Sequence, residues 1–370
     1  MLCAMRARTF LLGPVSGSAR GTTRGTTQGS TSGPGSRSVR PAVALVALLL
    51  SLALAGCAAG QTGPATRPQS QPVSGGTKLA ALWPLTGEQV SGRTPDRPVV
   101  VTKIDNTANS RPQVGLGKAD LITEELVEGG MTRLAVFFYQ HLPTVAGPVR
   151  SMRASDIGIV KPAHAVVVAS GAAPPTIARL KAAEVPFYEG VGPGYYRDRS
   201  RRMPYNLMVL LSKLAASTKV DPVVPASYLP WGAESDYHGT QRARSITARF
   251  SPSHTTSWAY RGGRYVNVNS FAAPGDRFDP ESVLVLRVRE GDAGYLDPAG
   301  HKVPETIYRG TGEMQLFHRG TVVRGTWTKT TPQAPVTLRT KGGRLEVPAG
   351  HVWIELLPSD KDGGHLTSSR

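Results

Sequence analysis

The chain has 370 residues, about two ordinary domains at roughly 150 residues each, and carries 43 basic against 26 acidic side chains for a net charge of +17. Its 41 glycines and 30 prolines exceed what an average globular chain holds but do not force disorder throughout. Two cysteines, Cys3 and Cys57, exclude a disulfide scaffold and a Cys-rich zinc or iron–sulfur centre.

The first 56 residues contain Arg6, Arg8, Arg20, Arg24, Arg37 and Arg40 and no lysine or acidic residue. Positions 13–38 are almost all Gly, Ser, Thr, Arg and Pro, a composition that cannot bury a core. Ala42–Ala55 follows, apolar except for Ser51. As a helix it would measure about 21 Å, short of the ~30 Å hydrocarbon layer, and it matches a signal-peptide core with Arg37 and Arg40 as its positive flank. It ends Leu54-Ala55-Gly56-Cys57, which resembles the bacterial lipobox, whose cysteine is acylated (palmitate) and becomes the mature N-terminus. A short spanning anchor with an incidental cysteine is the competing reading. Residues 1–56 are therefore expected to be a signal peptide, with 1–38 an over-extended gene start and Val39 the alternative initiator. Without them 37 basic and 26 acidic residues remain, and an acylated Cys57 leaves no free thiol. Two acyl chains suffice for stable anchoring. Arginine outnumbers lysine 32 to 11, as in a GC-rich genome, which suggests a cell membrane of actinobacterial type with the protein on its extracytoplasmic face.

Residues 57–78 are mostly Gly, Pro, Gln, Ser, Thr and Ala and read as a tether; the 20 residues Ala58–Thr77 reach at most about 70 Å. Residues 79–220 mix strand patterns (Pro98–Ile104, Leu121–Val127, Thr132–Gln140, His164–Ala169) with helix patterns (Ser151–Val160, Thr176–Ala183, Leu207–Ala216), giving an N-terminal mixed α/β domain. Residues 221–241 read as a boundary. Short β-like runs recur over 242–358 at Ser245–Phe250, Tyr265–Val268, Val283–Val288, Met314–His318, Val322–Trp327 and Val352–Leu357, predicting a smaller, mostly antiparallel β domain. Residues 359–370 are expected to be a disordered tail. The fold class is thus α+β or α/β.

Several separate motifs carry a family resemblance. They are Pro84-Leu85-Thr86-Gly87; Asp105-Asn106 with Arg111-Pro112-Gln113-Val114-Gly115; Glu128-Gly129-Gly130-Met131-Thr132-Arg133; Gly147-Pro148-Val149-Arg150-Ser151-Met152-Arg153; and Tyr196 to Leu207. Together they resemble the N-terminal domain of the YerB-like bacterial lipoproteins, and Gly325-Thr326-Trp327 with Gly350 to Leu356 resemble that family's C-terminal domain. The resemblance spans roughly residues 84–358 and implies a two-domain lipoprotein, without an activity. The sequence departs from the pattern at Tyr205 and at Ala169–Ala173, where the family resemblance leads one to expect histidine.

Candidate chemistry centres on the Gly129-Gly130 turn. As a two-residue hairpin loop it would pair Glu128 with Met131 and Leu126 with Arg133, placing Glu124, Glu128 and Arg133 on one face. An acid pair with an arginine can bind a cation or do acid–base work; the plainer reading is a salt bridge that fixes the hairpin. Arg111, Arg133, Arg150, Arg153, Arg197, Arg199, Arg201 and Arg202 suit bidentate recognition of phosphate or carboxylate, or else form a solvated basic surface. Gly147-Pro148 is expected to aim Arg150 and Arg153 the same way at the start of the 151–160 helix. The expected ligand site comprises Asn106, Arg111, Glu124, Glu128, Arg133, Arg150, Ser151, Arg153, Asp198, Arg201 and Asn206, with Cys57 for lipidation.

The scattered histidines give no metal motif, no cofactor loop is present, and Ser151 lies in no nucleophile elbow. An exported chain has no nucleic acid to bind. The expected partners are the membrane and an anionic wall glycopolymer or lipid-linked phosphate. Glu124 and Glu128 with the arginines as a transferase or hydrolase site, and a protein-docking adaptor, are the alternatives.

Overall fold

The computed structural model describes residues 81–370. The expected signal peptide, the expected lipobox at Cys57 and the expected tether lie outside the described residues. One mixed sheet organises the rest. From one edge to the other its strands are Gly343–Leu345, Thr337–Thr340, Thr321–Lys329, Gly310–His318, Ser282–Leu296, Val352–Pro358, Leu121–Leu126, Thr132–Phe138, Val100–Asp105, Val166–Ala169 and Phe187–Glu189. Lys302–Ile307 pairs with the far half of Ser282–Leu296, and Gln241–Arg242 with Thr321–Lys329. The protein is β-rich, and a division into separate α/β and β sheets is not what forms.

The join is made by Val352–Pro358. This strand runs parallel to Ser282–Leu296 on one side and to Leu121–Leu126 on the other, so late chain pairs directly with early chain. All seven of its residues are buried. That burial matches a strand covered on both faces, where apolar residues run on instead of alternating. The two faces carry separate cores. One is built from Val101, Leu121, Phe137, Val167, Ile354 and Leu356 and covered by the Pro174–Ala182 helix. The other, with Ile122, Leu134, Val136, Trp353 and Leu357, packs on a four-stranded antiparallel sheet. That sheet holds Arg264–Asn267, Thr255–Arg261, Ser245–Arg249 and His365–Ser369 in this order.

Four sequence expectations need correction. The helix expected over Leu207–Ala216 opens instead as a strand, Leu207–Val209, and its helical part is Leu211–Ser217. The tail is ordered to its end: His365–Ser369 pairs antiparallel with Ser245–Arg249, its Leu366 packing against the second core. The helix expected over 151–160 is only Asp156–Val160, continued by a 3-10 turn at Lys161–Ala163. Residues 150–153 are bonded to their neighbours instead, with Arg150 N–H donating to Lys103 O and Met152 N–H to Gly171 O. Finally, the hairpin turn is longer by one residue. Val127 N–H donates to Met131 O, closing Glu128-Gly129-Gly130, and Leu126 rather than Glu128 is the last ladder residue, opposite Thr132. Gly129 and Gly130, at φ 71° and 68°, supply the left-handed backbone this loop needs.

A buried charge cluster beneath an arginine surface

Strand alternation sends neighbouring side chains to opposite faces, and here it separates Glu124 from Glu125. Glu125 shares its face with Lys103 of Val100–Asp105 and Arg133 of Thr132–Phe138. Lys103 Nζ donates to Glu125 Oε1 and to Asp156 Oδ1, each at 2.6 Å, with all three side chains fully buried. Ser155 donates its hydroxyl to Glu125 Oε2, and Asp156 Oδ2 accepts Arg153 N–H at 2.6 Å. Burial alone would lower the Lys103 pKa, but Asp156 and Glu125 hold it above the usual lysine value. Burial raises Asp156 to about 6 against the pull of Lys103. A network this closed is a structural lock, costly to break from one side.

Next to it, Glu128 is held between two guanidinia. Arg133 Nη2 donates to Glu128 Oε1 at 2.7 Å, and Arg153 grips both carboxylate oxygens, through Nε at 2.9 Å and through Nη2. Burial would raise Glu128, but Arg153 and Arg133 hold it down at about 2. Arg133 also donates to Ser151 O at 3.0 Å, and the Ser151 hydroxyl lies 3.3 Å from that of Ser170.

Arg150 points elsewhere, against the expectation that it and Arg153 aim together. Its Nε faces Asp105 Oδ2 at 3.2 Å, and its guanidinium stacks over the Tyr205 ring at 5.0 Å. One long contact, Nη1 to Pro204 O at 3.5 Å, ties it to the 198–206 loop. That loop closes through Asp198 N–H to Asn206 O at 2.8 Å, with Asn206 Oδ1 accepting from Arg197 at 2.7 Å. Arg201 pairs with Asp198 at 3.1 Å and donates to Ser110 O and Pro112 O. Arg111 sits apart, over the Phe271 ring at 4.9 Å.

Glu124 belongs to a different network on the opposite face, so it and Glu128 do not form the acid pair read from spacing. The three-residue turn takes Glu128 out of the alternation. Glu124 accepts from Asn106 Nδ2 (2.9 Å), Thr132 Oγ1 (2.7 Å) and Thr256 Oγ1 (2.9 Å), and lies 3.0 Å from His254 Nε2. Its Cα partner Glu355 accepts from Trp258 Nε1 at 2.9 Å. Burial and Glu124 push Glu355 well up, making it the protonated member. Burial would raise Glu124 too, but His254 and Thr132 hold it down. His254, Thr256 and Glu355 escape a search for motifs. One signal for them is available: a carboxylate inside Val-Trp-Ile-Glu-Leu-Leu must find a buried partner.

Of the expected site residues, Glu128, Arg133, Ser151 and Arg153 come together. Asn106 joins Glu124. Arg150, Asp198 and Arg201 gather at the 198–206 loop with the buried Asn206, and Arg111 stands alone. Among the described residues no group of three His, Cys, Asp or Glu side chains is placed to hold a metal.

A continuous mixed sheet in which an early α/β segment and a late β segment share a central strand defines a two-part protein with a buried polar core on each face. The chain belongs to the family described as protein of unknown function DUF3048: its N-terminal domain matches residues 85–223 and its C-terminal domain residues 246–354. A relative from Bacillus subtilis (strain 168), named "Putative lipoprotein YerB", is 24% identical over 298 residues, covering 77% of this chain and 88% of that protein. The crystal structure of the Bacillus subtilis YerB protein has the same fold, with a TM-score of 0.65 at 20% identity over 79% of this chain and all of that one.

Proposed function

We propose that this protein is a cell-envelope lipoprotein, anchored through acylated Cys57, that binds an anionic wall glycopolymer or lipid-linked phosphate on the surface formed by Arg150 and the 198–206 loop. The anchor rests on the lipobox-like Leu54–Cys57 and on the name of the Bacillus relative. Cys57→Ala should then release the protein from the membrane fraction of a bacterial host; an unchanged membrane pellet would count against acylation.

The observation that carries the binding surface is Arg150. Its guanidinium is oriented by Tyr205 and Asp105, while its Nη2 has no hydrogen-bond partner among the described residues. Through Tyr205 and Pro204 it is tied to the segment that carries Arg197, Arg199, Arg201 and Arg202 with a single acidic residue, Asp198. A stacked, pre-oriented fork is suited to a phosphate or carboxylate in a way that an ammonium is not. Arg150→Lys keeps the charge and loses the fork, so it should weaken binding of purified wall polymer roughly tenfold, about 1.4 kcal/mol, with little change in melting temperature. A variant that melts lower and binds as before makes Arg150 structural.

The other readings have less support. A transferase or hydrolase needs Glu124 and Glu128 together, and they lie in separate networks. For an adaptor, the large apolar side chains exposed in 242–358 are Val268 and Leu296, too few for a docking patch.

A further inference from the structure

We infer that the 196–204 segment is a membrane-surface contact, seating the folded unit on the anionic phospholipid of the leaflet that holds its anchor. This rests on the anion-binding reading above and names the source of the anion.

The segment is a loop on a two-stranded ribbon, Tyr195–Arg197 with Leu207–Val209, outside the large sheet. Its acidic residue is already used: Asp198 accepts from Ser200 N–H, the Ser200 hydroxyl and Arg201 Nε. Arg201 is in turn pinned to the Ser110 and Pro112 carbonyls. Arg199 and Arg202 remain, both exposed and with no carboxylate partner among the described residues. In the same segment Met203 is 64% and Tyr196 40% exposed. A single exposed methionine is ordinary. An exposed methionine next to the unpaired Arg202 in a pinned loop, with Arg199 unpaired nearby in the chain, has the make-up of an interfacial contact, with apolar atoms entering the headgroup region and cations meeting lipid phosphate. Because the loop is already held in shape, little ordering entropy opposes contact.

Reach is not an obstacle. A folded unit of about 290 residues is about 50 Å across, and the 20 residues Ala58–Thr77 can extend to about 70 Å. Any face can therefore meet the bilayer, and the anchor raises the loop's local concentration enough for a weak contact to be populated.

The test uses the acylated full-length protein in vesicles of 7:3 phosphatidylcholine to phosphatidylglycerol and of phosphatidylcholine alone, with hydrogen–deuterium exchange read over 196–206. Exchange should slow in the anionic vesicles, and not in the neutral ones. High salt should abolish the slowing, as should Arg199→Glu with Arg202→Glu. Each lost cation is worth about fivefold in partition near an anionic leaflet, so the pair should cost about thirtyfold or more. Equal exchange in both vesicle types, or slowing that survives the double charge reversal, overturns the inference. If lipid leaves the loop unprotected while soluble wall polymer still binds in an Arg150-dependent way, the anion site stands and its source is polymer. If neither binds, both readings fail.

Discussion

Glu124 and Glu355 are Cα partners on neighbouring parallel strands, both fully buried, and their surroundings differ. Glu124 has donors from Asn106, Thr132 and Thr256 beside His254; Glu355 has Trp258 and a second oxygen without a partner. Two like charges this close cannot both persist in a dry interior, so the proton settles on the poorly solvated member. Glu355→Gln should then be mild at pH 7, about 1 kcal/mol or less by chemical denaturation, whereas Glu124→Gln removes a satisfied buried charge and should cost about 3–5 kcal/mol. The pH dependence has a definite sign. A carboxyl raised in the folded state binds a proton that the unfolded chain releases above about 4.5, so its stabilisation is complete below that pH and drains away as pH climbs. Glu355→Gln should flatten that decline. Equal losses for the two variants would mean the proton is shared differently.

At the scale of elements, the Glu128–Gly130 turn decides which carboxylates meet. Gly130 has φ 68°, and a Cβ there would lie 2.8 Å from the Ser251 hydroxyl, which itself donates to Gly130 O. Gly130→Ala should therefore cost about 1–3 kcal/mol through strain and loss of this contact, read as a lower thermal midpoint. A melting temperature equal to the parent's would show that the turn can relax.

This turn also marks how far the sequence could be read. Both flanking strands were legible from their apolar runs, as were Val100–Asp105, Val166–Ala169 and six of the twelve strands from Ser245 onward. The turn's length was not, because Gly-Gly permits two- and three-residue loops alike, and one residue moved Glu128 to the other face. The short Asp156–Val160 helix was overestimated because the backbone N–H groups of Arg150 and Met152 find distant partners, the carbonyls of Lys103 and Gly171. The candidate site was legible in its residue types but not in its grouping. Lone charges in apolar strands, Lys103 and Glu355, announced that partners must exist; only the assembled sheet says which.

For the whole molecule, the question is what Val352–Pro358 is worth. Val352, Trp353, Ile354, Leu356 and Leu357 are all at most 2% exposed. At about 1.5–3 kcal/mol each, they contribute on the order of 10 kcal/mol, as much as the whole net stability of a typical domain. Removing residues 350–370 would also open the pairing edges of Leu121–Leu126 and Ser282–Leu296 side by side. The truncated chain is expected to lose its cooperative thermal transition and to elute as aggregate. A monomeric product with a sharp melt would refute this dependence.

That central strand also sets a schedule. A chain made from its N-terminus delivers Leu121–Leu126 long before the residues that must lie beside it. Until the last twenty or so residues arrive, the early half waits with an unmatched row of backbone groups. Completion of the chain and completion of the fold are therefore one event. A product broken off early, by a nonsense codon or a stalled ribosome, would stay open to proteases.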